Sequence, residues 1–314
     1  MKIITHDDIM NLGITPEEAF DWSEYVIRHK NDAILPAKIS IKPQDMEGVF
    51  CNVMPCYFGE FGGVKMVTRY PDRAPSLDSQ LMLLDTKSGK TVALVDANFI
   101  TALRTGAVCV HSLLKFAVKD FSVVGMMGLG NVARATMMIL AAKVKDRALT
   151  VKLLKYKDGH ELFAERFKDV ASNITFEFCD TPEELVDGSD VVISAVTYAC
   201  QNVCEDKYFK PGVVVIPVHT LGFTNCDLFF DKVYADDYGH VKHFKYFDKF
   251  KKFAEFSDVF NGKDPGRESD DERILVYNIG IALHDIYYAG QIYKKLSDKA
   301  KEIEFSAPSN KFWI

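Results

Sequence analysis

A glycine-rich segment holds the residues whose types and spacing point most directly to chemistry. Gly128-Leu-Gly130-Asn-Val-Ala133 fits the pattern G-x-G-x-x-A, which binds dinucleotides where a strand turns into a helix. Gly128 permits the tight turn, Gly130 leaves space for a pyrophosphate, and Ala133 allows the helix to pack closely on the strand. The first N–H groups of that helix are free to bind the anion. The segment therefore predicts a dinucleotide-binding turn.

Two basic residues lie in otherwise apolar surroundings. Lys65 has Val64 and Met66 as neighbours in a predicted strand, and Arg104 lies near the start of a mostly apolar helix. A buried cation needs a partner, which is either a bound carboxylate or phosphate, or an acidic side chain of the same protein. The spacing alone leaves both possibilities open.

The strands around the glycines must position this turn. Phe121 to Val124 precedes it, and further apolar runs at Leu149 to Leu154, Asp190 to Ala195 and Val213 to Pro217 leave room for helices between them. Alternating strands and helices predict an α/β domain with a doubly wound, Rossmann-type parallel sheet. The segments before residue 100 are separated by turns such as Pro71-Asp72, and they predict an antiparallel sheet.

The second strand of the parallel sheet ends in Lys155-Tyr156-Lys157. An NAD-selective protein usually carries an acidic residue at this point, which binds both ribose hydroxyls and repels a 2′-phosphate. Asp158 comes too late along the chain for that role. Because lysines can instead bind the phosphate, the sequence predicts that NADP(H) is preferred over NAD(H).

Length and composition are those of an ordinary globular protein of about two domains. The chain has 314 residues, of which 48% are hydrophobic and 26% are charged. Its net charge of −6 gives no support for a nucleic-acid or anionic-membrane partner. Met1 leads into a polar helix start rather than a signal peptide, and no apolar run has the length of a membrane span.

Several shorter patterns have simple structural interpretations. The seven cysteines are scattered and lie mostly in apolar runs, which indicates reduced thiols and a cytoplasmic protein. No set of His and Cys residues completes a metal site, and His240 and His243 are expected on a solvated helix face. Aromatic residues recur at every third position from Phe244 to Phe253, which predicts one helix face packed on the sheet.

Taken together, these motifs resemble those of the ornithine cyclodeaminase/μ-crystallin family over nearly the whole chain. The matching stretches are Met54-Pro55, Gly63-Val-Lys65, Asp85-Thr-Lys-Ser-Gly89, Thr101-Ala-Leu-Arg-Thr-Gly-Ala107, Gly128-Leu-Gly-Asn-Val-Ala133, Gly262-Lys-Asp-Pro-Gly-Arg267 and Asn278-Ile-Gly-Ile-Ala-Leu-His-Asp285. The resemblance implies a Rossmann domain, residues 117–291, inserted into a second, α+β domain. That second domain, residues 1–116 with about 292–314, would bind the substrate and form a homodimer.

The resemblance also implies an activity and a set of site residues. Members of the family transfer a hydride between NAD(P) and the carbon that bears both the carboxylate and the nitrogen of an amino or imino acid. Lys65 would bind the substrate carboxylate and polarise the reacting centre. Lys38 stands near the position where the family usually has a carboxylate-binding arginine. The residues implied to contact the cofactor are Ser76, Arg104, Gly128, Gly130, Asn131, Val132, Thr197 and Asn278, besides Lys155, Tyr156 and Lys157.

Two departures from the family pattern bear on the reaction. The cyclodeaminases carry an acid/base aspartate directly after a glycine of the loop that follows the fourth parallel strand, and this chain has Phe223 there. They also carry a glutamate two residues before Met54-Pro55, where this chain has Asn52. Asp227 is then the nearest candidate for the proton transfers. The predicted catalytic residues are Lys65, Arg104 and Asp227.

Three functions follow from the resemblance. The first is an amino-acid dehydrogenase or ketimine reductase, which is an oxidoreductase acting on CH–NH or CH–NH2 groups. The second is an ornithine cyclodeaminase, a lyase that forms proline and ammonia. The third is an NADP(H)-binding protein without catalysis. Phe223 favours the first and third over the second, and the presence of Lys65 and Arg104 favours an enzyme.

Overall fold

The computed structural model describes residues 1–196, 202–219, 228–305 and 308–314. They divide into two units. Unit 1 comprises Met1–Ile14, Asp32–Ile100 and Asp285–Ile314, and unit 2 comprises Thr15–Asn31 and Thr101–His284.

Unit 1 is built on a mostly antiparallel sheet. Its strands are β1 (Lys2–Ile4), β2 (Ile39–Ile41), β3 (Phe50–Phe58), β4 (Phe61–Arg69), β5 (Leu77–Asp85), β6 (Thr91–Asp96) and β15 (Lys301–Glu302). They pair in the order β15-β1-β6-β5-β4-β3-β2, in which only β1 and β6 are parallel. Helix α1 (His6–Met10) follows β1 and begins at Thr5, whose side chain forms a capping box with Asp8.

One face of this sheet carries several exposed apolar side chains. Because side chains alternate along a strand, the register places Pro55, Val64, Met82 and Leu94 in one row across β3, β4, β5 and β6. Met82 is 44% exposed, and Met66 in the adjacent row is 46% exposed. We call this surface the outer face of the sheet.

Unit 2 contains a parallel sheet of eight strands. They are β7 (Val123–Met127), β8 (Leu149–Leu154), β9 (Ile174–Cys179), β10 (Val191–Ser194), β11 (Val214–Pro217), β12 (Lys232–Ala235), β13 (Phe253–Glu255) and β14 (Ile274–Tyr277). Their order is β13-β12-β14-β11-β10-β7-β8-β9. The chain runs from β7 outwards to β9 and then in the other direction from β10, so the predicted doubly wound sheet is confirmed.

The described residues form further helices between and after the strands. They are α2 (Pro16–Arg28), α3 (Asn98–Phe116), α4 (Asn131–Lys143), α5 (Gly159–Phe167), α6 (Pro182–Val186), α7 (Tyr238–Val241), α8 (Phe256–Phe260) and α9 (Ala282–Leu296). Helix α3 is long and apolar enough to cross a membrane, but 72% of its apolar stretch is buried inside the protein, as in a core helix.

The two units have bounds other than those of the predicted domains, which stay a prediction. Unit 2 already includes the chain from Thr101, takes in Thr15–Asn31, and ends at His284. Residues 15–31 belong to unit 2 because their side chains pack on helices that are distant in the sequence. Phe20 of α2 stacks on His111 of α3 with ring centroids 3.6 Å apart, and Lys143 of α4 lies over the same phenylalanine ring. The roles of the domains in substrate binding and dimerisation stay predictions.

The predicted helix across the aromatic run is wrong. Phe247–Lys249 forms a single 3-10 turn, and Phe253–Glu255 is the edge strand β13. Phe244, Phe247, Phe250 and Phe253 nevertheless pack on the core of unit 2, as predicted. Spacing shows which side chains share an apolar environment, but here they are brought together by a loop, a short turn and a strand rather than by one helix.

His240 also differs from its predicted place on a solvated helix face. Its side chain is almost fully buried, and its Nδ1 lies 2.6 Å from a carboxylate oxygen of Asp237. Across the described ranges, no group of three or more His, Cys, Asp or Glu side chains is arranged to hold a metal ion.

Candidate active site

The glycine turn of unit 2 joins β7 to α4 as the sequence predicts. Gly128 has a φ of +82°, and a Cβ there would lie 2.5 Å from the carbonyl carbon of Ala195 on the adjacent chain segment. Gly130 is the N-cap of α4, and a Cβ on it would meet no atom within 4 Å. No side chain among the described residues caps this helix, and the N–H groups of a first helical turn have no partner within the helix. Asn131 and Val132 form that first turn, and the arrangement fits a pyrophosphate.

These two glycines give a matched pair of substitutions. Gly128→Ala should destabilise the protein by about 1–3 kcal/mol from backbone strain alone, besides the clash with the Ala195 backbone. Gly130→Ala should cost less than about 1 kcal/mol of stability, because the added methyl group meets no protein atom. It should still weaken NADPH binding at least about tenfold, since the methyl group occupies the space of the pyrophosphate. Urea unfolding and NADPH fluorescence titration measure the two effects. Unaltered NADPH affinity in Gly130→Ala would place the cofactor elsewhere.

Helix α3 brings Arg104 close to the same region of unit 2. Gly106 of α3 packs against α4, where a Cβ on it would lie 2.6 Å from the backbone nitrogen of Thr136. Arg104 is 5% exposed, and its guanidinium group lies directly against Gly280, which has a φ of +77°. A side chain at position 280 would displace the guanidinium group, so glycine is required there for both conformation and space.

A buried carboxylate organises this end of the sheet. Asp236 follows β12 and accepts hydrogen bonds from the Gly280 backbone N–H at 2.8 Å and from Asn278 Nδ2 at 3.2 Å. Asn278 in turn accepts a hydrogen bond from Ser112 of α3 at 3.0 Å. Burial raises the pKa of Asp236, although the hydrogen bond from Gly280 and the positive charge of Arg104 oppose that shift. The predicted site residues Arg104 and Asn278 therefore belong to one network.

Sequence reasoning missed Asp236, although a signal for it was present. Asp236 and Asp237 come directly after a buried strand, and the carboxyl ends of parallel strands are where α/β proteins bind ligands. The second aspartate belongs to a different cluster, since Asp237 lies 2.8 Å from Lys30 Nζ and 2.6 Å from His240. Burial opposes ionisation of Asp237, but His240 and Lys30 outweigh it and lower its pKa to about 2.

Lys65 lies on the buried face of the sheet in unit 1. Its neighbours across the ladder are Met54 on β3 and Leu81 on β5, both of which are buried. Lys65 Nζ lies 2.7 Å from Oδ2 of Asp285, and neither side chain is exposed. A pair of charges without solvent contact is costly to bury unless its geometry is good. The cation predicted to need a partner therefore has an internal one.

Close packing of α9 on β4 positions this pair. Gly290 of α9 faces Phe61, the first residue of β4, and a Cβ on Gly290 would lie 2.6 Å from that ring. The absence of a side chain lets the helix approach the strand, which places Asp285 near the start of the helix beside Lys65. The negative charge of Asp285 also reaches Cys56, whose thiol pKa is raised to about 12 by burial and, secondarily, by this carboxylate.

The other predicted site residues of unit 1, Lys38 on the substrate side and Ser76 on the cofactor side, are partly exposed. Lys38 is half-buried just before β2, and Ser76 is half-buried just before β5. The Ser76 carbonyl accepts hydrogen bonds from Arg73 and from the Tyr70 backbone, so its main chain is fixed within this loop. Asn52, which stands where the cyclodeaminases have glutamate, accepts a hydrogen bond from Ser40 Oγ at 2.7 Å.

The residues after β8 are on the surface of unit 2. Tyr156 is 74% exposed, and Lys157 is exposed with a φ of +49°. Lys155 Nζ lies 2.8 Å from the carboxylate of Asp180, which follows the neighbouring strand β9. One of the two lysines predicted to bind a 2′-phosphate is therefore already paired with an acidic side chain. Thr197 and Asp227, like Phe223, lie outside the described residues.

Comparison with known proteins shows to which family the chain belongs. The model of the ornithine cyclodeaminase/mu-crystallin family matches residues 5–300. The chain belongs to this family. The resemblance stated from the motifs is thus confirmed, and the match extends through both units.

Three proteins illustrate what this chain is similar to. The nodulation efficiency protein NfeD of Rhizobium meliloti is 26% identical over 93% of this chain and 94% of its own. An archaeal alanine dehydrogenase dimer with bound NAD superposes with a TM-score of 0.84 at 22% identity, over 98% of this chain and 99% of that one. The Δ1-pyrroline-2-carboxylate reductase of Thermococcus litoralis, solved with NADH and L-proline, has a TM-score of 0.84 at 22% identity, over 96% and 100%. These structural similarities establish the fold.

Proposed function

We propose that the protein is an NAD(P)-dependent oxidoreductase that interconverts an α-amino acid, linear or cyclic, with its imine. The observation that carries the proposal is the turn from Gly128 to Gly130, which is open at the start of α4 in a member of this family. Both solved relatives described above bind a nicotinamide cofactor, and one binds L-proline. A bound nicotinamide would supply or accept the hydride.

The side chains of the protein would handle charge around that transfer. Lys65 is assigned to the carboxylate of the substrate. That carboxylate would compete with Asp285 for the ammonium group of Lys65. Arg104 is assigned to anionic groups of the cofactor or substrate, and Asp236 holds it through the shared turn at Gly280. Lys38 on the substrate side, and Ser76 and Thr197 on the cofactor side, keep their assignments from the family motif.

An assay with matched substrates tests the proposal. The protein should oxidise NADPH or NADH with Δ1-pyrroline-2-carboxylate or another α-imino acid, or reduce NADP+ or NAD+ with L-alanine or L-proline. Ammonia and proline formed from L-ornithine without net change in cofactor would instead identify a cyclodeaminase. Cofactor binding without turnover on this panel would identify the non-catalytic alternative. Asn52 and Phe223, at positions where the cyclodeaminases carry acidic residues, favour the oxidoreductase over the lyase.

The preference for NADP(H) is a further part of the proposal. Lys157 lies exposed after β8, and its positive charge near a 2′-phosphate would favour NADPH. Because Lys155 already pairs with Asp180, we expect Lys157 alone to favour the 2′-phosphate. The expected preference for NADPH over NADH is about tenfold. Dissociation constants for NADPH and NADH, measured at low and high salt, test this. Lys157→Ala should remove most of the preference, whereas Lys168→Ala, an exposed lysine after α5, should leave it unchanged. Equal affinities in the wild type would contradict the prediction.

We also propose that the protein is a homodimer that associates through the outer face of the sheet in unit 1. An exposed apolar surface of this kind marks an interaction site, and the archaeal alanine dehydrogenase relative is a dimer. Met66→Glu combined with Met82→Glu should convert the dimer to a monomer in analytical ultracentrifugation. The matched control is Leu162→Glu, which alters an apolar residue 66% exposed on α5. Dissociation by the control, or none by the double variant, would exclude this face as the interface.

A cytoplasmic location completes the proposal. Three cysteines within the described ranges, Cys56, Cys109 and Cys204, have their thiol pKa raised to about 12, primarily by burial. Such thiols are unreactive and suit a reducing compartment.

A further inference from the structure

A histidine and a serine outside the family motifs meet at the centre of the sheet in unit 2. Ser194 is the last residue of β10 and is fully buried, and His219 follows the end of β11 by two residues and is partly exposed. Ser194 Oγ lies 3.3 Å from Nε2 of His219, within hydrogen-bonding distance. The contact is between two neighbouring parallel strands at their carboxyl ends.

This pair is next to the glycine turn. Ser194 stands opposite Met127 of β7, the residue just before Gly128. The backbone of Ala195, which follows Ser194, is what a Cβ on Gly128 would strike. The order in which the chain adds strands to the sheet also reverses between β7 and β10. Such a topological switch point is where α/β proteins bind their ligands. His219 is therefore placed beside the region assigned to the cofactor.

The chemistry of the proposed reaction requires a titratable group there. Reduction of an imine adds a hydride to carbon and a proton to nitrogen, and the reverse oxidation removes both. Phe223 cannot carry that proton. The three strand ends at this point contribute Met127, Ser194 and Pro217, whose side chains do not titrate near neutral pH. Histidine is the side chain whose proton equilibrium ordinarily lies close to neutrality.

We infer that His219 is the proton donor and acceptor of the reaction, and that Ser194 positions its ring. The inference rests on the proposed function. In the reductive direction the imine carbon accepts the hydride, and the electron pair of the C=N π bond moves to nitrogen. The imidazolium N–H proton passes to that nitrogen, which leaves neutral imidazole to be reprotonated by solvent. Oxidation of the amino acid runs through the same steps in reverse.

Three variants test the inference with NADPH and Δ1-pyrroline-2-carboxylate as probes. His219→Asn should lower kcat about 10²- to 10³-fold, which is the usual contribution of a general acid. The dissociation constant for NADPH should change less than about threefold. The defect should shrink as pH falls, because the imine then takes a proton from solvent before it binds. Ser194→Ala should give a smaller loss, about three- to tenfold, with the same pH trend. Asp227→Asn, at the proton carrier predicted from the sequence, should lower kcat less than His219→Asn does.

The outcomes separate this inference from the proposed function. If the wild type reduces imines and His219→Asn does so equally well, His219 is not the proton carrier. A loss of NADPH affinity that matches the loss of kcat would make His219 a cofactor contact instead. A rate defect that is the same at every pH, or a larger one in Asp227→Asn, would likewise overturn the assignment. If the wild type turns over no imine and no amino acid, the proposed function fails, and this inference fails with it.

Discussion

Replacing Lys65 with methionine should lower kcat/KM about 10²- to 10³-fold while NADPH binding is retained. The substrate carboxylate would lose its cationic partner, and loss of one buried charged partner costs about 2–5 kcal/mol. The variant should also be less stable, because Asp285 would stay buried beside an uncharged side chain. Stopped-flow reduction of an α-imino acid, NADPH titration and urea unfolding measure the three effects. Lys87→Met, at an exposed lysine in the turn after β5, is the matched control.

The double variant Lys65→Met/Asp285→Asn distinguishes catalysis from stability. Removal of both charges should recover much of the stability lost in the single variant, since no uncompensated buried charge remains. Activity should stay as low as in the single variant. Recovery of activity together with stability would mean that Lys65 serves the fold alone, whereas failure of NADPH binding in a folded variant would assign Lys65 to the cofactor.

The second large effect is expected for Arg104→Ala, which should reduce turnover at least about 10²-fold. Loss of the guanidinium group removes the positive charge that opposes the raised pKa of Asp236. A carboxyl group with a raised pKa in the folded state favours folding when it is protonated. The stability deficit of the variant should therefore be largest at alkaline pH and should shrink as pH falls towards about 4, the ordinary aspartate value.

Unfolding free energies measured at intervals of about one pH unit between pH 5 and 9 test the direction in which the stability deficit changes with pH. In Arg104→Ala/Asp236→Asn the pH-dependent part of the deficit should disappear, because the asparagine does not titrate, and turnover should remain low. A deficit that grows towards acid pH would show that loss of Arg104 does not raise the pKa of Asp236 further. Unchanged turnover and NADPH affinity in Arg104→Ala would remove Arg104 from the site.

Much of the fold could be predicted from the sequence because its signals are local. The glycine pattern after a short apolar strand specifies the turn from β7 to α4 through backbone geometry, and the intervals between apolar runs indicate parallel strands. The environment of Lys65 could not be predicted in this way. Both faces of β4 carry apolar residues, so alternation did not show which face was buried, and the partner Asp285 is 220 residues away in the sequence.

The network around Asp236 illustrates the same limit. Arg104 and Asn278 were matched to family motifs as separate cofactor contacts. In the structure the carboxylate of Asp236 accepts hydrogen bonds from Asn278 and Gly280, and Gly280 lies against the guanidinium group of Arg104. Asp180 was missed as the partner of Lys155 because the two residues come from the ends of different strands. Contacts of this kind depend on strand order, which no local pattern contains.

If the protein dimerises through the outer face of the sheet in unit 1, where Met82 is 44% and Met66 is 46% exposed, its stability should obey mass action. For a homodimer held by that face, unfolding and dissociation are one coupled equilibrium, so the melting temperature rises with protein concentration. Each tenfold dilution would remove about 1.4 kcal/mol from the apparent stability of the dimer. At low abundance the same apolar surface would be uncovered more often. The amount of protein in the cell would then help to determine how much of it stays folded.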